Sequence, residues 1–525
     1  MSNKNIFTDI HCHSLIRGFN SGEDIWIVNS IDDKNDERLK TIFRLPQAGF
    51  SSLAKGRTRL IFLSLYPVEQ GFLTNLVDSV FNPDTFLGSL ADALISTIIK
   101  DSEMVRFEAA KYVLNLSKQR FEEISNPNHD YFTKDIQQEY EFLSSKASVK
   151  RKVLVNGVEK DFQIKIMKDF NDVKHTLGID DDFNYTSTAD NTIGIVLTIE
   201  GGHALGCGQQ STLSLTDDQL IPILKNNIAR LKQWGGGDHC PFFITITHHF
   251  WNQLCGHAMS LAKIMHTIFD QNTGMNQGIT PAGQFAVKEL LSNENGQRRI
   301  LIDIKHMSKE GRTWYFNFVA EHNRNNPNDI IPLIASHVGF NGIQQLDITK
   351  TFSDHKLGDD WYSQSEIFNN WDINLSDEEL KLIYSTGGII GLIMDQRILS
   401  GQKMIDSVTR IAKADPINDP AEYANWILFQ SIWAEPVVQH IIHLVKLLGD
   451  GAWDMITLGS DFDGLINPLD AFAYSDDFPS LRAILIEKLK LRAEVDEVLA
   501  NKDFSELVDK MFYKNSLKFL QKNYK

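Results

Sequence analysis

Residues 193–200 read IGIVLTIE, an unbroken run of branched and long aliphatic side chains that ends on a carboxylate, Glu200. The run lacks strict polar–apolar alternation, which predicts a strand covered on both faces, as in a parallel sheet wrapped by helices. The same arrangement recurs in both directions along the chain. Upstream, residues 6–13 (IFTDIHCH) end on His11 and His13, and residues 59–66 (RLIFLSLY) form a second apolar run. Downstream, residues 242–248 (FFITITH), 300–306 (ILIDIKH) and 330–337 (IIPLIASH) end on His248, His306 and His337. Residues 388–394 (GIIGLIM) and 455–461 (MITLGSD) follow, the latter ending on Asp461.

Helical stretches separate these runs. Residues 217–234 open after Thr216, a helix-capping residue, and close at Gly235-Gly236-Gly237. Residues 281–291 follow Thr280 and place Pro281 at the first helical position. Residues 376–384 (SDEELKLIY) combine a Ser cap with acidic first-turn residues and stop before Gly387-Gly388. Eight strands alternating with helices predict an α/β fold, a (β/α)8 TIM barrel running as a single domain over residues 1–525. Insertions are expected at about 14–56, 75–190 and 340–372. Residues 14–56 are polar and irregular, and residues 75–145 look largely helical. Residues 149–168 carry Asn156-Gly157 between two β-rich arms, a type I′ hairpin signal. These segments are read as covers over the barrel mouth or as surface decoration.

Composition narrows the partners. The 525 residues are 42% hydrophobic and 23% charged, ordinary for a globular protein. A formal net charge of −16 argues against a nucleic-acid surface, which needs a basic patch. No apolar stretch reaches the roughly 18 residues that span a bilayer, so no membrane partner is expected. Cys12, Cys207, Cys240 and Cys255 show no paired spacing, so neither a disulfide framework nor a thiolate zinc site is expected. The N-terminus has no secretory pattern, and the expected location is the cytoplasm.

In a barrel of this kind, functional residues gather at the C-terminal ends of the strands. His11 and His13 are two apart on a strand, so both imidazoles point to one side and reach one ion while Cys12 faces away. Glu200 precedes Gly201-Gly202, where the backbone can turn sharply, and its two oxygens suit it to bridge two cations. His306 and His337 end consecutive strands and would serve a second ion. Singly, an HxH pair is a weak signal, a strand-end Glu is usually solvated, and a lone His is more often a satisfied core residue. Their recurrence at equivalent positions is what points to a metal centre. Imidazole and carboxylate without thiolate suit zinc and permit manganese, iron, cobalt or nickel. Two such cations lower the pKa of a shared water and make hydroxide available near pH 7. Asp461, preferred to Asp463 because it ends the apolar run, would move the proton. His248, outside the ligand set, would hydrogen-bond a substrate carbonyl. His249 falls in the opposite strand phase and is the weaker candidate.

The stretches TIEGGHAL (198–205), ITITHHFWN (244–252), GITPAGQFAVKELL (278–291) and LIDIKHMS (301–308) resemble the membrane (renal) dipeptidase family, peptidase family M19 of the amidohydrolase superfamily. IASHVG (334–339), NLSDEELKLIYSTGGIIGLIM (374–394), LGSDFDG (458–464) and KNSLKFL (514–520) extend the likeness in the same order. The resemblance implies two divalent ions, zinc foremost, bridged by Glu200 with His306 and His337 on the second. It also implies a proton-transferring Asp461, a carbonyl-binding His248, a dipeptide or other small amide as substrate, and a homodimer, common in the family. Two departures stand out. The first motif is His11-Cys12-His13 where the family has HxD. Ile373 stands before Asn374 where the family has the arginine that grips the substrate carboxylate by two parallel hydrogen bonds. Arg397 is a candidate to replace it. Competing readings are a lactonase, esterase or phosphoesterase using the same hydroxide, and a non-catalytic degenerate barrel.

Overall fold

The computed structural model describes residues 6–26, 46–75, 114–186, 191–261, 269–350, 367–414 and 423–525. Its strands are β1 (Phe7–Cys12), β2 (Thr58–Leu65), β3 (Arg151–Val155), β4 (Val158–Ile166) and β5 (Thr192–Glu200). β6 (Phe243–Thr245), β7 (Leu301–Asp303), β8 (Ile334–Val338), β9 (Ile389–Leu392) and β10 (Ile456–Leu458) complete the set. Eight of them follow one another in the parallel order β1-β2-β5-β6-β7-β8-β9-β10. The ring closes just beyond β10. Cys12 pairs with Phe462 in parallel, His13 N donates to Phe462 O at 2.9 Å, and Asp461 N donates to His11 O at 2.9 Å. This is the (β/α)8 barrel that the recurring apolar runs predict.

Every residue of β5 is buried, which is why the IGIVLTIE run shows no polar–apolar alternation. Full burial of each such aliphatic side chain contributes roughly 1.5–3 kcal/mol, largely offset by conformational entropy. The helices between strands begin and end close to where the sequence places them. Asp217–Lys232 opens with a Thr216–Gln219 capping box, and Asp377–Ser385 with a Ser376–Glu379 box. Pro281–Leu291 starts with the Thr280 side chain accepting from Gly283 N. Among the described residues, no helix is long and apolar enough to cross a membrane.

The segment between β2 and β5 divides in two. Residues Lys118–Ser125, Tyr131–Ile136 and Gln137–Lys146 are helical and pack beside the mouth. Glu139 accepts from Tyr66 N at 2.8 Å and the Tyr131 hydroxyl accepts from Gln70 N at 2.6 Å, both just past the end of β2. The hairpin β3–β4 forms as its Asn156-Gly157 turn predicts, with φ of 52° and 77°. It does not cover the mouth. β4 pairs in parallel with residues 192–195, the first half of β5, at the end of the barrel away from Glu200. β6 is only three residues long and takes the same edge of β5 beside Ile199 and Glu200, so the lower half of that edge is open to β4. Within the 14–56 segment, the described parts hold short helices at Ile16–Ser21 and Phe50–Lys55. Residues 27–45, 76–113 and 351–366, which fall in the expected insertions, lie outside the described residues.

Candidate metal centre

Six strands, β1, β5, β6, β7, β8 and β10, deliver functional groups at the same end. His11 lies in β1 and His13 just beyond it, with their Nε2 atoms 3.2 Å apart, while the buried Cys12 points elsewhere, its thiol beside Ser14. Glu200 is the last residue of β5, and the chain then turns through Gly201 at φ 93°. A side chain at Gly202 would lie 2.4 Å from Ile246 O, so this turn also requires close backbone approach. His337 sits within β8, whereas His306 and Asp461 stand three residues beyond β7 and β10. Both adopt left-handed backbone, φ 66° and 60°, a conformation costing of order 1–3 kcal/mol outside glycine. The fold holds that strain where the two side chains must turn inward.

Glu200 occupies the middle of the cluster. Its Oε2 lies 2.9 Å from His13 Nε2 and 3.5 Å from His248 Nε2. Its Oε1 lies 3.5 Å from His11 Nε2 and 3.4 Å from the Nε2 atoms of His306 and His337. Asp461 Oδ1 approaches His13 Nε2 at 3.5 Å and His11 Nε2 at 3.7 Å. Two overlapping donor sets result, His11–His13–Glu200–Asp461 and Glu200–His306–His337, with all donor atoms of each set within 4.8 Å of one another. Glu200 belongs to both. All six side chains are buried.

These residues fit divalent cations. Imidazole nitrogens facing each other at 3.2 and 3.3 Å cannot all carry protons, and Glu200 Oε1 is buried without a hydrogen-bond partner. Burial works against charge on Glu200, yet the surrounding His248, His11 and His13 hold its carboxyl well below the usual range. Burial likewise opposes a charged His13, but Glu200 lifts its pKa to about 10. The carboxylate field therefore demands positive charge at this point. His306 and His337 are pushed far down, first by burial, and so stay neutral with lone pairs available. Burial raises Asp461, with Glu200 adding to the rise.

A surrounding layer orients these groups. The Ser336 hydroxyl lies 2.8 Å from His337 Nδ1 and 3.2 Å from His11 Nδ1, and it donates to the Asp303 carboxylate. Contacts at Nδ1 leave Nε2 to face the centre. Asp9 accepts from His11 N and Ser460 N, at 3.2 and 2.9 Å, tying β1 to the loop that carries Asp461. Glu69 lies 2.8 Å from His248 Nδ1 and accepts from Phe250 N at 2.9 Å. Sequence reasoning missed Asp9, Glu69, Asp303 and Ser336. Asp9 and Asp303 had a signal, an acidic residue inside an otherwise apolar strand (TDIH, IDIKH). Glu69 had none.

Beside the centre, a pocket is lined by Lys305, His249, Ile373, Arg397, Leu465 and Asp461, among others. His249, the out-of-phase histidine, still faces the site, with its donor atoms close to those of His248 and His306 and its Nδ1 2.7 Å from Ser260 Oγ. Ile373 is buried in the pocket wall. Arg397 lies there too, but its guanidinium is forked on Asp395, with Nε 3.0 and 3.1 Å from the two carboxylate oxygens.

The sequence profile of the membrane dipeptidase family, peptidase family M19, matches residues 363–503. Two solved structures similar to this chain are the dipeptidase AC, a metallo peptidase of family M19, and a metallo peptidase from Rhodobacter sphaeroides bound to a phosphinate mimic of the dipeptide L-Ala-D-Ala. The first is 16% identical with a TM-score of 0.48, the match covering 99% of each chain. The second is 16% identical with a TM-score of 0.49, covering 99% of this chain and all of the other.

Proposed function

For a metal-dependent hydrolase that resembles the membrane dipeptidases, we propose cleavage of the amide bond in dipeptides or similarly small amides, with zinc as the metal. The observation that carries this reading is the position of Glu200, a single carboxylate within 3.5 Å of five imidazole nitrogens from four strand ends. His11 and His13 would hold one cation, His306 and His337 the other, and Glu200 both. Two such cations supply Lewis acidity and let a water ionise near neutral pH.

The chain's own groups then manage the protons. Asp461, kept above the ordinary carboxylate range by burial, accepts the proton of the attacking water and passes it to the departing amine nitrogen. His248 has Nδ1 against the Glu69 carboxylate, which can only accept, so that nitrogen carries a proton. Burial opposes a charge on His248, but Glu200 and Glu69 together raise its pKa. Its Nε2–H is thus available to the carbonyl oxygen as negative charge builds there. The buried walls exclude bulk water and strengthen both interactions.

The test is a substrate panel on purified protein of measured metal content: dipeptides, N-acyl amino acids, lactones and phosphotriesters. Zinc-dependent turnover of dipeptides or N-acyl amino acids is expected. Turnover confined to lactones or phosphotriesters would replace the amidase reading with the ester-directed one. A barrel that binds no transition metal after reconstitution would be non-catalytic.

A further inference from the structure

We infer that Lys305 anchors the substrate carboxylate in this chain, in place of an arginine before Asn374. The inference rests on the amide-hydrolase reading and names the group that recognises the substrate. Ile373 can make no hydrogen bond to an anion, and the Arg397 guanidinium is already engaged by Asp395. Lys305 enters the same pocket from the turn after β7, directly before His306. It is 2% exposed, and its Nζ has no hydrogen-bond partner among the described residues.

A buried ammonium without a partner is costly. The carboxylates that face it are committed elsewhere. Asp303 accepts from Thr245, Ser336 and the Lys305 backbone, and Asp395 holds Arg397. Glu200 and Asp461 face the metal centre. The charge that Lys305 lacks must come from what enters the pocket. The chain also has His13 where aspartate is usual in the resembled family, which leaves the mouth less negative. Both features favour an anionic substrate, and Lys305 lines the pocket beside His306 and Asp461 where it would sit.

The experiment is calorimetric titration of the zinc-loaded protein with a phosphinic dipeptide isostere and with its C-terminal carboxamide. Wild type should bind the carboxylate form more tightly than the carboxamide by roughly 10–100-fold, the worth of a charge-assisted hydrogen bond. Lys305→Met should erase that preference while changing carboxamide affinity by less than about threefold, and Lys305→Arg should restore part of it. The ligand-free Lys305→Met protein should melt at the same temperature or higher, because an uncompensated buried charge is gone. Equal loss for both probes, or a wild type indifferent to the carboxylate, overturns the assignment. If Lys305→Met does not fold, Lys305→Gln takes its place in the same comparison. If no dipeptide is cleaved yet the Lys305-dependent preference persists, the amidase reading falls and the anchor stands.

Discussion

Glu69 and His248 lie 179 residues apart in the chain, and their side chains meet at 2.8 Å beside the metal centre. Glu69 also accepts from Phe250 N, so it fixes the loop that carries His248 as well as the ring. Glu69→Gln should keep the metal complement and lower kcat roughly 10- to 100-fold, the usual cost of losing an orienting partner. Burial favours the neutral ring, whereas Glu200 and Glu69 favour the charged one, so removing Glu69 lowers the His248 pKa. The alkaline limb of the kcat profile should therefore move to lower pH. An unchanged profile would show that His248 does not act as a charged donor.

Glu200 is shared by both donor sets, so its charge should govern both cations. Glu200→Gln and His306→Ala are expected to abolish turnover, by roughly 10³-fold or more, with the circular dichroism of the folded barrel retained. Metal analysis should show depleted zinc in each. Chelation of the wild type should lower its melting temperature, because bound metal stabilises the native state by mass action. Full turnover in either variant would remove that residue from the mechanism.

Asp461 sits at the rim of the cluster, 3.5 Å from His13. Asp461→Asn should retain most of the metal while kcat falls roughly 10²- to 10⁴-fold, the range for losing a general acid–base group. Paired zinc and rate measurements distinguish this from ligand loss. Normal turnover would assign proton transfer to another group.

His440 provides a pH test outside the donor sets. It lies on helix Glu435–Leu448, packed against Phe340 and Phe368, with Nδ1 2.9 Å from Pro436 O. Burial drives its pKa down to about 3. Below about pH 6.5 the unfolded chain takes a proton here that the folded protein refuses, so stability falls as pH drops. Between pH 6.5 and 5 the loss from this group is about 2 kcal/mol. His440→Phe should remove it, giving denaturation midpoints that decline less on acidification than those of the wild type.

Much of the barrel is legible in the sequence because burial on both faces makes strands such as IGIVLTIE largely apolar, without polar–apolar alternation. The residues that end those runs mark the site for a related reason. A His, Glu or Asp closing a fully apolar strand has no solvated face of its own and must point into the mouth. Asn156-Gly157 fixes its hairpin through the left-handed backbone that those two residues tolerate, but the turn says nothing of where the hairpin docks. It docks at the foot of the barrel because the three-residue β6 leaves half of one edge of β5 unpaired.

The sequence alone determines the (β/α)8 barrel and the ring of strand-end imidazoles and carboxylates, since strand periodicity and apolar runs are local properties of the chain. The tertiary structure decides what those groups lean on: Glu69 against His248, Ser336 between His11 and His337, Arg397 spent on Asp395, and Lys305 without a protein partner. The Glu69–His248 and Ser336–His11 contacts join segments 179 and 325 residues apart, set by how the loops close over the barrel rather than by any local pattern.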